Sequence, residues 1–236
     1  METMAFLLEL KRIAYDSVTL GGNKHLRKGF LKAEKQRGLF QAVAARGAVA
    51  LVRIAPQFMF ALVTRSYRKN GMEVLGLGYH SVVVADGADG VKKYHHRTLH
   101  MSQEQRQAYI ERLYRKQDVL KAHFPDAMIA SQEFVVEQFP LNQQLHTVVS
   151  VQKRIRNIPL FHENIRANHK VMQLCQDMFE SANALPDVVG KSNFFFTDTH
   201  EGIVIVDTIP VEESDPTDWE AYIRAQEILW GEIKRP

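Results

Sequence analysis

The sequence predicts an α+β protein whose sheet is antiparallel. Three observations carry this. Apolar residues recur with period two in some stretches and at helical spacing in others. From residue 72 the order runs β-β-β-α-β-β, then a helix, a hairpin and a last helix. The pairs Asp86-Gly87 and Asp89-Gly90 supply hairpin chemistry, because glycine tolerates φ > 0. Composition agrees: 236 residues, 45% hydrophobic and 24% charged, exclude a disordered chain, a collagen-like repeat and a disulfide scaffold. That length allows one or two domains with a real core. The single cysteine, Cys175, has no partner for an intramolecular disulfide. A reducing, cytoplasmic setting is expected, with the membrane periphery as an addition to it. The opening METMAFLLELKR puts a glutamate before a very short apolar stretch, so no signal peptide is expected.

The N-terminal third reads as helical and then strongly apolar. Leu26, Phe30, Ala33, Phe40 and Val43 recur at roughly helical spacing, with Lys24, Arg27, Lys28, Lys32 and Lys35 between them. Gly47 to Val63 follows, a run of 17 whose only charge is Arg53. A membrane span needs about 20 apolar residues, and this run contains both Arg53 and Pro56. A buried or interfacial helical hairpin broken near Pro56 is expected, with a membrane-dipping segment as the alternative. Charge is uneven: residues 1–72 hold 13 Lys and Arg against 4 Asp and Glu, a balance of +9, and the remainder balances at −6. A block of that sign meets an anionic partner or membrane, or forms a solvated helical face; nucleic acid is not expected.

The elements from residue 72 follow in turn. MEVLGLGYHSVVVADGADGVKKYHH reads as strand, glycine turn, strand, tight turn, strand. Ser102 is the expected N-cap of a helix that carries Ile110, Leu113, Val119 and Leu120 and ends near Phe124, with Glu104 in its first turn. MIASQEFVVEQF and LHTVVSVQKRI are strand-like and joined around Asn142. A helix is expected from His162 to Asn183, then a hairpin in NFFFTDTHEGIVIVDT turning at Gly202, then a helix to about Ile233.

Four pieces in a fixed order carry chemistry. Gly76-Leu-Gly78-Tyr-His-Ser81-Val-Val83 is a G-x-G-x-x-S-x-V pattern between strands, where glycines let backbone N–H groups approach a phosphate. Without a ligand the same pattern is a plain glycine hairpin. In Val91-Lys92-Lys93-Tyr94, period two places Lys93 with Val91 and Lys92 with Tyr94. A lysine under the glycine turn can neutralise α- and β-phosphates, and Lys92 is the alternative if the register slips. The third piece is Asp187 to Asn193, and the fourth is Ile203-Val-Ile-Val206-Asp207-Thr208. Asn193 and Asp207 stand 14 residues apart at the near ends of a hairpin, an amide and a carboxylate oxygen suited to Mg²⁺. The alternative is a capping aspartate.

On these residues, the chain from about 72 to 212 resembles the protein-kinase-like superfamily, which includes protein kinases, aminoglycoside and choline phosphotransferases and small bacterial relatives. The resemblance implies a bilobal fold. Residues 1–70 would be a helical extension, 71–153 an N-lobe with an antiparallel sheet, and 154–236 a reduced helical C-lobe. It implies ATP and Mg²⁺ as cofactors. Gly76, Gly78, Ser81, Val83 and Lys93 would bind the nucleotide, Lys93 at its α- and β-phosphates, and backbone near Gln152 and Lys153 would hold adenine. Asn193 and Asp207 would be metal ligands, Asp187 the general base, and Glu111, or Glu104, the helix partner of Lys93. The sequence departs from the pattern in places. Asp187 lies six residues before Asn193 rather than five, and Thr208-Ile209 replaces Phe-Gly. Only 29 residues follow Asp207, so the large substrate lobe of a protein kinase is missing. The expected activity is ATP·Mg²⁺-dependent phosphoryl transfer to a small molecule, lipid or sugar. The alternative is a catalytically impaired pseudokinase that serves as a nucleotide-binding or scaffold module.

Other constellations are read as structural. His95, His96 and His100 have no His-Glu-x-x-His or cysteine pairs beside them and are expected to be solvated. Cys175 falls on an apolar helical stripe, and Phe194, Phe195 and Phe196 alternate in a strand, so packing is the expected role of each.

Overall fold

The computed structural model describes residues 56–77, 81–155, 159, 162–190, 193–196, 202–207 and 209–234. The expected helix around Leu26–Val43, the first part of the Gly47–Val63 run, and Gly78 lie outside the described residues. The architecture is α+β, with a five-stranded antiparallel sheet and several helices. The chain divides into two compact units. One takes the described residues up to Met101 together with Val136–Ser150, and the other takes Ser102–Val135 and the chain from Val151 onward.

The first unit opens with helix α1 (Pro56–Lys69). Pro56 is its first residue, where a missing N–H costs nothing and the fixed φ already suits a helix. Gly71, at φ +77°, and Met72, whose N–H donates to the Tyr67 carbonyl, turn the chain out of the helix. The sheet comprises β1 (Val74–Leu77), β2 (Ser81–Asp86), β3 (Gly90–His95), β4 (Gln132–Phe139) and β5 (Asn142–Lys153), in the order β1-β2-β3-β5-β4. The β2–β3 turn uses Gly87 at φ +69°, with Asp86 opposite Gly90. Asn142 is the first residue of β5, so the β4–β5 turn lies at Pro140–Leu141, just before the expected place.

Alternate residues of β2 and β3 build the core. Val82, Val84 and Tyr94 are buried, and so is Tyr67 of α1, with its ring 6.2 Å from Tyr94 and 6.3 Å from Phe139. The histidines depart from expectation. His95 and His96 are buried, and His100 alone of the three is exposed. His95 ends β3 opposite buried Ser81, and the short 3₁₀ turn His96–Thr98 that follows carries the His96 ring inward. Each finds a partner at 2.6 Å: His95 Nε2 and the Ser150 hydroxyl, His96 Nε2 and the Tyr67 hydroxyl.

In the second unit, α2 (Gln103–His123) starts on a capping box. The Ser102 hydroxyl accepts from the Gln105 N–H, and the Gln105 side chain accepts from the Ser102 N–H. The expected helix from His162 to Asn183 is two helices, α3 (His162–Ala167) and α4 (His169–Ala182). Asn168 separates them, because its side chain caps α4 by accepting from the Val171 N–H at 3.1 Å. Asn183 ends α4 in the left-handed region. The strands β6 (Ala184–Leu185) and β9 (Val211–Glu212) pair, and β7 (Phe194–Phe196) pairs with β8 (Ile203–Ile205) as the expected hairpin. Helix α5 (Trp219–Trp230) stops at Gly231, φ +77°, short of the expected Ile233. Leu120, Met178, Leu185, Phe194, Ile205 and Tyr222 form the heart of this core. Cys175 is buried among them as expected, and burial pushes its thiol up to about 12, which keeps it unreactive.

Candidate functional site

The expected site residues fall into two groups, one in each unit. In the first unit, β1 and β2 set Gly76 opposite Val83, and β2 and β3 set Val83 opposite Lys93. Directly opposed residues share a face, so Gly76, Val83 and Lys93 form one row across three strands. Among the described residues, an added Cβ at Gly76 would meet only the Val83 side chain, at 3.8 Å, so none of them requires glycine there. Ser81, opposite His95, is buried. Lys92 lies on the other face opposite Val84, and its Nζ is 2.9 Å from Glu137 Oε1. That hydrogen bond, more than any other influence, raises the Lys92 pKa above its ordinary value. The two neighbouring lysines therefore have separate environments, as strand alternation dictates.

The second group is built on a loop and a hairpin. Asp187 Oδ1 accepts from the Val189 N–H at 3.0 Å, which bends the chain back on itself. The Asn193 side-chain NH₂ donates to the Asp187 carbonyl at 2.9 Å and closes the loop. Gly190 lies under that amide: a Cβ there would sit 2.6 Å from both Nδ2 and Oδ1 of Asn193, so any other residue would displace the Asn193 amide. Because Asn193 nitrogen is committed to Asp187, its oxygen is the end left to act as a ligand. The Val206 N–H donates to the Asn193 carbonyl at 2.8 Å, continuing the Phe194–Ile205 register by one step. Asn193 and Asp207 thus stand at the open end of one hairpin. Both hairpin edges are covered, by a parallel bridge from Ile129 to Ile205 and an antiparallel bridge from Pro159 to Phe195.

Sequence reasoning missed Gln132. Its side chain is buried at the start of β4, and Nε2 donates to the Val206 carbonyl at 2.7 Å and to Gln152 Oε1 at 2.6 Å. The available signal was a polar residue in phase with buried Phe134 on an alternating strand. Gln152, expected near adenine, is half-buried, and Lys153 is exposed at the end of β5. Glu111 is exposed on α2, and Glu104 accepts from the Ser102 hydroxyl in the cap. The buried face of α2 instead carries Lys116, whose Nζ contacts Asp218 and lies 3.3 Å from Asp215 Oδ2, with Arg112 3.5 Å from the same oxygen. Burial would raise the Asp215 carboxyl, but the Thr217 hydroxyl and N–H, with Lys116 and Arg112, outweigh it and hold the group at about 2.

The amide of Asn193 and the carboxylate of Asp207 are oxygen donors of the kind a hard cation takes. Among the described residues, no three His, Cys, Asp or Glu side chains gather around one point. A cation there would take the Asn193 and Asp207 oxygens and complete its shell with phosphate and water, which is how Mg²⁺ is ordinarily held. No described helix is long and apolar enough to cross a membrane. No protein-family model matches the chain, and no curated protein matches it.

Proposed function

We propose that the protein is an ATP·Mg²⁺-dependent phosphotransferase of kinase-like architecture, acting on a small-molecule, lipid or sugar hydroxyl. The observation that carries this reading is that one hairpin brings both Asn193 and Asp207 to its open end, where Asn193 bonds the residue before Asp207 and its side-chain nitrogen is already engaged by Asp187. Two further features support it. Three strands, a helix and two strands come in the order the reading requires. A lysine shares a sheet face with a glycine and a valine on the strands that flank the expected phosphate turn.

In this mechanism Lys93 neutralises the α- and β-phosphates, and backbone at Gly76 lets them come close. The Asn193 and Asp207 oxygens would hold Mg²⁺, which would supply positive charge to offset that of the phosphates. Asp187 accepts the acceptor's hydroxyl proton as the oxygen–phosphorus bond forms and the bond from the γ-phosphorus to the ADP oxygen breaks. A second reading, a nucleotide-binding pseudokinase, is favoured by the exposure of Glu111 and the engagement of Glu104 in the helix cap.

A thermal-shift titration with ATP and Mg²⁺ tests the proposal. A ligand at a hundred times its Kd stabilises the native state by about 2.7 kcal/mol. Wild type should show that rise in Tm, and Asp207→Ala should lose it with an unchanged circular dichroism spectrum. An equal rise in both proteins would reject the assignment. Binding without ADP production across a panel of hydroxyl acceptors would select the pseudokinase.

A further inference from the structure

Gln132 does not belong to the proposed chemistry, yet it is 5% exposed and holds two separate segments at once. The Val206 carbonyl can only accept, so it fixes which end of the Gln132 amide is nitrogen. Both protons of that nitrogen are committed, one to Val206 and one to Gln152 Oε1. The Val206 N–H is committed in turn to the Asn193 carbonyl. The peptide unit leading into Asp207 is therefore gripped by Gln132, while the preceding N–H is gripped by Asn193. The oxygen end of Gln132 is buried with no hydrogen-bond partner among the described residues. An apolar residue at this inward position would avoid that cost, so the donor end accounts for a glutamine here.

From this geometry we infer that Gln132 is a positioning residue: it fixes the Val206–Asp207 peptide against Asn193 and couples it through Gln152 to the end of β5. The inference rests on the phosphotransferase reading, which places the cation at Asp207 and the base of the nucleotide near Gln152. The consequence is cooperative binding of metal and nucleotide. Removing the Gln132 donor should weaken the metal's effect on ATP affinity while leaving metal-free ATP affinity nearly unchanged.

The test titrates Mg²⁺ against ATP binding by calorimetry in the full chain, with the Tm of each variant measured alongside. Gln132→Met keeps the size and removes both donors, and Gln132→Glu keeps the shape and replaces donors with acceptors. Each should raise the half-saturating Mg²⁺ concentration about tenfold, the equivalent of one lost hydrogen bond. Metal-free ATP affinity should stay within about twofold, because in this scheme the amide acts through Asp207. Gln152→Met should give a smaller rise, about threefold, and should add nothing in the Gln132→Met background, since both act through one amide. A lower Tm with an unchanged Mg²⁺ midpoint in the Gln132 variants would make the residue merely structural and overturn the inference. If the Gln132 variants do not fold, Gln152→Met decides: an unchanged midpoint overturns it. Wild type and Asp207→Ala are run in parallel. If Mg²⁺ changes ATP binding equally in both, or in neither, the phosphotransferase reading fails and takes this inference with it. A loss in Asp207→Ala alone, with the Gln132 variants like wild type, removes only the inference.

Discussion

The two units bury polar groups in opposite ways. The first buries neutral ones: His95 on Ser150, His96 on Tyr67, and the Thr98 hydroxyl with Thr147. The second buries charge, with Lys116 against Asp215 and Asp218. A neutral pair needs little beyond matched geometry to be satisfied in a core. A buried ammonium needs compensating charge, and the second unit supplies two carboxylates from the segment that leads into α5. The first interior is thus sensitive to protons, and the second to the loss of a partner.

Removing Lys116 should show the largest effect. Lys116→Met leaves Asp215, 8% exposed, facing Arg112 alone. Stranding one member of a buried ion pair costs about 3–5 kcal/mol. Urea unfolding should show a loss of that size in the second unit, with the m-value unchanged. A loss under about 1 kcal/mol would mean that water reaches the cluster and that the contrast between the units is much weaker.

Acid should separate the units next. Burial pushes the His95 pKa well below its ordinary value, and the nearby Lys93 and Arg97 charges add to the effect. The unfolded chain therefore binds the His95 proton more readily than the folded one. Stability from this site is complete above about pH 6.5 and is lost progressively as pH falls below that. Asp215, held at about 2 against an ordinary 3.8, keeps its contribution above pH 3.8 and loses it between 3.8 and about 2. That shift is worth about 2 kcal/mol. Hydrogen exchange, corrected for the intrinsic pH dependence of amide exchange, should show β2, β3 and β5 losing protection below pH 6.5. Helices α2 and α5 should hold theirs until below about pH 4. The reverse order would break the comparison.

The sequence announced what depends on local chemistry. The Ser102 cap, the Asp86–Gly90 turn, the opposed faces of Lys92 and Lys93, and the Asn193–Asp207 hairpin were all legible from period, turn residues and spacing. What it did not announce depends on residues distant in the chain. Lys116 and Asp218 are 102 positions apart, and Gln132 and Val206 are 74 apart. Neither pair has a local pattern, because side-chain partners across a core are chosen by the tertiary fold. The buried histidines fall between these cases. Alternation put His95 on a face with Lys93, but the 3₁₀ turn that sinks His96 has no period to reveal it. Asn168 caps a second helix inside a stretch that reads as one helix, His162 to Asn183, and the cap appears only in the structure.

The smallest effect comes from a charged pair in the first unit. Lys92 and Glu137 meet at 2.9 Å with side chains 24% and 30% exposed, so water screens them in a way it cannot screen Lys116. Lys92→Met should cost under about 1 kcal/mol, and raising the salt concentration should shrink the difference from wild type further. The same variant separates the two lysines. Lys92 lies across the sheet from the Gly76–Val83–Lys93 row, so Lys92→Met should leave the thermal shift with ATP and Mg²⁺ unchanged while Lys93→Met reduces it. If Lys92→Met abolished the shift and Lys93→Met kept it, the phosphate-facing side of the sheet would be the one that carries Tyr94 and Glu137's partner. The row built on Val83 would then have no ligand to hold.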